Sequence, residues 1–143
     1  MRSRIVTQTG EVWLGDDGIL RIEITNPREH TLADAKENAE AGRRAGGGVR
    51  RPLLSKVVTA GPMTNEARAY YASEEAAHGL TALAMVTSSV LGRIVANLLM
   101  GLSTTPIPMR LFSNEHAALL WLRGIEAGAA KKSSLRSESH PPA

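Results

Sequence analysis

The 143-residue chain predicts an α/β domain, and three observations carry that expectation. Strand-like runs alternate with helical runs after an initial hairpin pattern. Residues 81–86 form a continuous apolar run of strand length, the pattern of a central strand covered on both faces. Helix caps and glycine stops fall between these segments, where an alternating fold needs its connections.

The elements follow in order. Residues 11–14 and 19–24 flank Gly15-Asp16-Asp17-Gly18, which predicts a β-hairpin. Leu20, Ile22 and Ile24 alternate with Arg21 and Glu23, so one strand face is apolar. Asn26-Pro27 ends that strand, and Thr31 with Asp34 three residues on predicts a helix start, with Leu32, Ala35 and Ala39 turned inward. The Gly46-Gly47-Gly48 run stops this helix, and residues 53–58 read as a strand after Pro52. Gly61-Pro62-Met63 is a turn, Thr64-Asn65-Glu66 opens a second helix, and Ser73-Glu74-Glu75 divides it into two short pieces. Ser88-Ser89 precedes a helical stripe of Leu91, Ile94, Val95, Leu98 and Leu102. Pro106 and Pro108 frame a loop, residues 109–112 form a last strand, and Ser113 caps a final helix with Ala118, Trp121, Leu122 and Ile125 on one face. The expected architecture is a mixed sheet with an antiparallel hairpin at its N-terminal edge, then mostly parallel strands and four main helices. One domain spans residues 1–126, and residues 127–143 are expected to be a disordered polar tail.

Composition narrows the functional classes. With no cysteine there is no disulfide framework, thiolate metal site or cysteine nucleophile. The net charge is +3, but Lys131, Lys132 and Arg136 against Glu138 place much of it in the tail, leaving the folded part near neutral. Five scattered aromatics do not make a base-stacking platform, so no nucleic-acid partner is expected. The basic start has no apolar stretch of signal-peptide length after it. Arg93 at the centre of residues 80–102 argues against a transmembrane segment, since a central arginine costs about 2.5–3.5 kcal/mol on insertion scales. A cytoplasmic location is expected.

No catalytic constellation emerges. The triple glycine follows a helix, whereas a phosphate cradle places its glycines before one. Arg43, Arg44, Arg50, Arg51 and Lys56 surround that turn, where cations suit the negative helix end. Among His30, His78, His116 and His140, only Glu75 and His78 have Glu-x-x-His spacing, and the second copy a carboxylate-bridged metal site needs is missing. No Gly-x-Ser-x-Gly elbow exists, and the adjacent pairs Asp16-Asp17 and Glu74-Glu75 do not converge across a cleft. No catalytic residue, metal or cofactor is expected, and the chain reads as a non-enzyme.

Arg51-Pro52-Leu53-Leu54 entering a strand, residues 63–68 opening a helix, and residues 106–112 leading to Ala118-Leu119-Leu120-Trp121-Leu122 together resemble the STAS fold of anti-anti-sigma factors and the related CRAL-TRIO domains. The likeness covers about 110 residues and points to an uncharacterised bacterial branch of that superfamily. In the anti-anti-sigma branch, an Asp-Ser pair at the corresponding strand-to-helix turn accepts phosphate. Here the stretch is Gly61-Pro62-Met63-Thr64-Asn65; the pair is not reproduced, and Thr64 is the one residue there able to accept phosphate.

The resemblance implies a regulatory module that binds a protein partner through Met63, Thr64, Asn65 and Glu66, through Ser88 and Ser89, and through Arg93 and Asn97 on the helix at residues 90–102. The alternative is a small apolar ligand or lipid held beneath that helix, as the CRAL-TRIO relatives suggest. The apolar excess of the helix also raises the expectation of a homodimer.

Overall fold

The computed structural model describes residues 4–59, 61–87 and 106–138. Six strands form one sheet in sequential order: β1 (Ile5–Val6), β2 (Gly10–Leu14), β3 (Leu20–Ile24), β4 (Arg51–Val57), β5 (Leu80–Thr87) and β6 (Met109–Phe112). The first three pair antiparallel, and β3 to β6 pair parallel. The mixed sheet with its antiparallel N-terminal hairpin is the architecture the alternating pattern predicts. Among the described residues four helices accompany it: α1 (Leu32–Ala45), α2 (Asn65–Tyr71), α3 (Glu74–Ala77) and α4 (Glu115–Glu138). The helix expected at residues 90–102 lies outside the described residues.

The hairpin closes as its turn chemistry requires. Leu14 pairs with Leu20, and Gly18 takes a positive φ of 80°, a conformation costly for other residues. Thr31 caps α1 with a complete capping box, its side chain accepting from the Asp34 amide while the Asp34 carboxylate accepts from the Thr31 amide. Gly47 and Gly48, also at positive φ, turn the chain after α1. Ser73 caps α3, so the second helical segment does divide in two.

Four boundaries differ from the expectation. Strand β1 is too short to leave a periodic signal and forms by pairing Ile5 with Val12. Strand β4 starts at Arg51 and includes Pro52; a shift of register between these two accommodates the missing proline N–H. The cap of α4 is Asn114, not Ser113, with Asn114 Oδ1 accepting from the Ala117 amide at 2.8 Å. That helix then continues to Glu138, beyond the end of its apolar stripe, through alanine- and lysine-containing sequence of good intrinsic helix propensity.

Alternation along the strands sends the side chains to two different packing partners. On one face Leu54, Ala82, Ala84 and Val86 meet Ala118 and Leu122 of α4. On the other, Val12 and Ile22 pack against Ala41 of α1, and Ala35 of α1 packs against Ala67 and Tyr70 of α2. The alanines let helix and sheet approach closely; a buried leucine such as Leu122 contributes about 1.5–3 kcal/mol.

Candidate ligand-binding cavity

The strand register lays a straight apolar row across the α1-side face. Leu20 pairs with Leu53, Leu53 with Leu83, and Leu83 with Met109. All four line a cavity of about 170 Å³ between the sheet and the helices. Met85 and Ile107 extend its apolar wall, and Asn38 and Tyr71 come to it from α1 and α2.

A hydrogen-bonded polar cluster meets this apolar volume, and Asn26, Arg28, Arg43 and Ser55 also line it. His30 follows the Asn26-Pro27 break and immediately precedes the α1 cap. Its backbone is strapped to the segment ahead of α2: the His30 amide donates to Pro62 O at 2.8 Å, and the Thr64 amide donates to His30 O at 3.0 Å. The close approach needs Gly61, because a Cβ there would sit 2.1 Å from the Pro27 carbonyl oxygen. The strap brings His30 Nε2 within 2.7 Å of Tyr71 Oη. Asn38 Nδ2 donates to Tyr71 Oη at 3.2 Å and to Thr9 Oγ1 at 2.9 Å.

The protons of this cluster follow from its donors. Asn38 donates to the Tyr71 oxygen, and in the His30 tautomer with its proton on Nδ1 the Tyr71 hydroxyl donates to Nε2. Burial lowers the His30 pKa below its ordinary 6.5, outweighing the attraction of Asp34, and so favours the neutral ring. Burial likewise holds the Tyr71 phenol above its ordinary 10.0, against the Asn38 hydrogen bond. Beside them, burial acts to raise the Asp34 carboxyl, but the Thr31 amide and the Arg28 guanidinium, 2.6 Å away, together hold it below the usual carboxylate range. The cluster is a hydrogen-bonding patch of neutral groups at an apolar wall, flanked by one ion pair.

Of the residues singled out from sequence, Met63 lines the cavity. Thr64 caps α2, its Oγ1 accepting from the Ala67 amide at 3.1 Å. Asn65 and Glu66 are exposed, and Asn65 Oδ1 accepts from Arg68. Ser88, Ser89, Arg93 and Asn97 lie outside the described residues. The cluster of His30, Asn38 and Tyr71 was not anticipated. Its one sequence signal is Asn38, three residues after Ala35 and so a polar side chain on the inward stripe of α1. Glu75 and His78 make no site: His78 is exposed, and its amide donates to the Glu75 carbonyl at 3.3 Å. Among the described residues no group of three or more His, Asp or Glu side chains is placed to hold a metal ion. No helix among them is long and apolar enough to cross a membrane.

Residues 12–126 match the model of a family described as a domain of unknown function, DUF7793. The chain belongs to this family. The DUF7793 segment thus runs from β2 into α4 and includes His30, Asn38 and Tyr71. Among solved structures, the chain is similar to an uncharacterised protein of the DUF3478 family with a SpoIIAA-like fold from Shewanella loihica PV-4. That likeness has a TM-score of 0.52 at 16% identity and covers 85% of this chain and 92% of the other. The DUF7793 chain therefore has a SpoIIAA-like, STAS-type fold. A protein of unknown function from Arthrobacter sp. FB24 is 30% identical over 82% of this chain and 95% of its own, with a TM-score of 0.30. Among curated proteins none matches the DUF7793 chain.

Proposed function

We propose that the protein is a non-enzymatic binding module that holds a small, mostly apolar molecule in the cavity between α1, α2 and the sheet. The observation that carries this reading is the cavity itself: about 170 Å³, floored by the row Leu20, Leu53, Leu83 and Met109, with a few polar side chains on its wall, among them the hydrogen-bonded His30, Asn38 and Tyr71 and the cationic Arg28 and Arg43. Binding sites for small molecules combine apolar walls with a few placed polar groups in this way. A cavity of comparable size with apolar walls accommodates a molecule of about the size of benzene. The cluster also argues for binding over catalysis, since its hydroxyl, ring nitrogen and amide are engaged with one another and the Tyr71 phenol is held protonated.

The test is native mass spectrometry of the freshly purified full chain, with Leu83→Trp as the cavity-filling comparison. A retained small molecule adds mass to the wild type and is lost from the variant. A bare wild-type mass, together with no thermal stabilisation by short-chain alcohols, rejects the reading.

A second reading, a regulatory module that binds a protein partner, draws on Asn65 and Glu66, which stand exposed beside the cavity at the start of α2. Thr64 would be its phosphate acceptor, at a helix start where added negative charge is favoured. Pull-down from native lysate with wild type and Thr64→Glu separates the two readings. A partner lost or gained on that substitution supports the second, and identical empty captures count against it.

A further inference from the structure

Strand alternation puts Ser55 on the cavity side of β4. Leu53 and Val57, the residues two before and two after it, line the cavity, whereas Leu54 packs on the opposite face with Ala118 and Leu122 of α4. In the sheet Ser55 pairs with Ile22 of β3 and Met85 of β5, which line the cavity as well. Ser55 is partly exposed, and with its strand paired on both sides the surface it keeps opens into the cavity.

Among the described residues Ser55 Oγ has no hydrogen-bond partner, and it is not sealed in as Asn38 Oδ1 is. The other polar side chains on the wall are engaged. Asn26 donates to Gln8 O and accepts from the Arg28 amide. Arg28 and Arg43 hold the carboxylates of Asp34 at 2.6 Å and Glu40 at 3.0 Å, and His30, Asn38 and Tyr71 are bonded to one another. A hydroxyl that faces an apolar volume without a partner is destabilising. A water there needs about two to four polar partners, and the neighbours of Ser55 on this face are Ile22, Leu53, Val57 and Met85.

We propose that Ser55 is the polar anchor of the cavity, and that the ligand is a compact apolar molecule bearing an uncharged hydroxyl or carbonyl that meets Ser55 Oγ while the apolar body lies over the leucine and methionine row. This rests on the binding reading above and names its ligand class. The group at Ser55 is uncharged because those four neighbours offer no counter-charge, and an unpaired charge among them would be costly. Donor and acceptor both suit the site, since a hydroxyl does both.

The experiment is an amide chemical-shift titration of the full chain with benzyl alcohol, with ethylbenzene, in which a methyl replaces the hydroxyl, and with benzoate. Ser55→Ala should weaken benzyl alcohol relative to ethylbenzene by roughly five- to tenfold, the value of one net hydrogen bond, and should leave the urea midpoint no lower. Shifts with benzyl alcohol should include Ile22, Ser55 and Met85. An unchanged ratio overturns the anchor assignment while leaving the cavity reading intact. So does a benzoate complex that is tighter than that of benzyl alcohol and indifferent to Ser55→Ala, which would move the anchor to Arg28 or Arg43. A lowered midpoint would give the hydroxyl a structural bond and overturn the assignment likewise. No saturable shifts with any of the three overturn both readings.

Discussion

His30 is buried with Nε2 2.7 Å from Tyr71 Oη, so protonating it costs solvation. Its folded pKa lies below the ordinary 6.5, so below that value the unfolded chain takes up a proton the folded chain resists. The contribution of His30 to stability is therefore complete above about pH 6.5 and declines as the pH falls through the lowered folded value. Urea unfolding between pH 8 and pH 5 should give a falling midpoint below pH 6.5, and His30→Gln should flatten that limb. Asp34 and Asp17, both held below the ordinary 3.8, act in the same direction only at lower pH. A midpoint that rises on acidification would contradict the neutral buried ring. At the same scale, Tyr71→Phe leaves His30 Nε2 without its hydrogen-bond partner and removes an acceptor from Asn38. The expected loss is about 1–3 kcal/mol, read from denaturant midpoints; a loss well inside 0.5 kcal/mol, the usual range for an uninvolved surface site, would argue that the cluster is slack.

At the scale of elements, the strap between His30 and Met63 depends on how near the chain before α2 comes to the turn after β3. Gly61 lies against two carbonyl groups, with an added Cβ only 2.1 Å from Pro27 O and 2.4 Å from Arg28 O. Backbone cannot yield as a flexible side chain can. Gly61→Ala should push the strap apart, destabilise the protein by about 1–3 kcal/mol and speed amide exchange at His30 and Thr64. Unchanged exchange at those amides would show that the strap is not set by this contact. Much at this scale was legible beforehand. Thr31, Thr64 and Ser73 cap their helices as their positions suggest, because a cap is a contact within three residues. The misplaced cap of α4 has the same local origin: Ser113 and Asn114 are adjacent and both are good caps, so only the helix start chooses between them. Pro52 hid the beginning of β4 because its place in a strand depends on a register shift that the neighbouring strand supplies.

Across the whole molecule, the sheet keeps its two faces distinct. The α4 side is packed by small residues around Leu54 and Leu122, whereas the α1 side contains the cavity. Asp17 in the hairpin loop is bonded to Arg21 and also to Arg123 of α4, which ties the hairpin to the packed side. Leu122→Ala should cost about 2–5 kcal/mol by thermal or urea unfolding, while Leu120→Ala, at a position 56% exposed, should change stability by less than about 0.5 kcal/mol. Neither should alter the retention of a small molecule in the cavity on the other face, read by native mass spectrometry. Loss of the retained molecule in Leu122→Ala would mean that the two faces communicate.

The α/β class, the hairpin turn and the caps of α1, α2 and α3 were determined by the sequence alone, because each rests on periodicity or on contacts a few residues apart. The candidate site was decided only by tertiary structure. Asn38 reaches Thr9 across 29 residues and Tyr71 across 33, and His30 meets Tyr71 across 41. No local pattern encodes such separations. Read singly, these are a polar residue on a helix, one of four histidines and a tyrosine near a helix end. Parallel strand register and the strap at Gly61 bring them to one wall, where burial disfavours the charged form of the histidine.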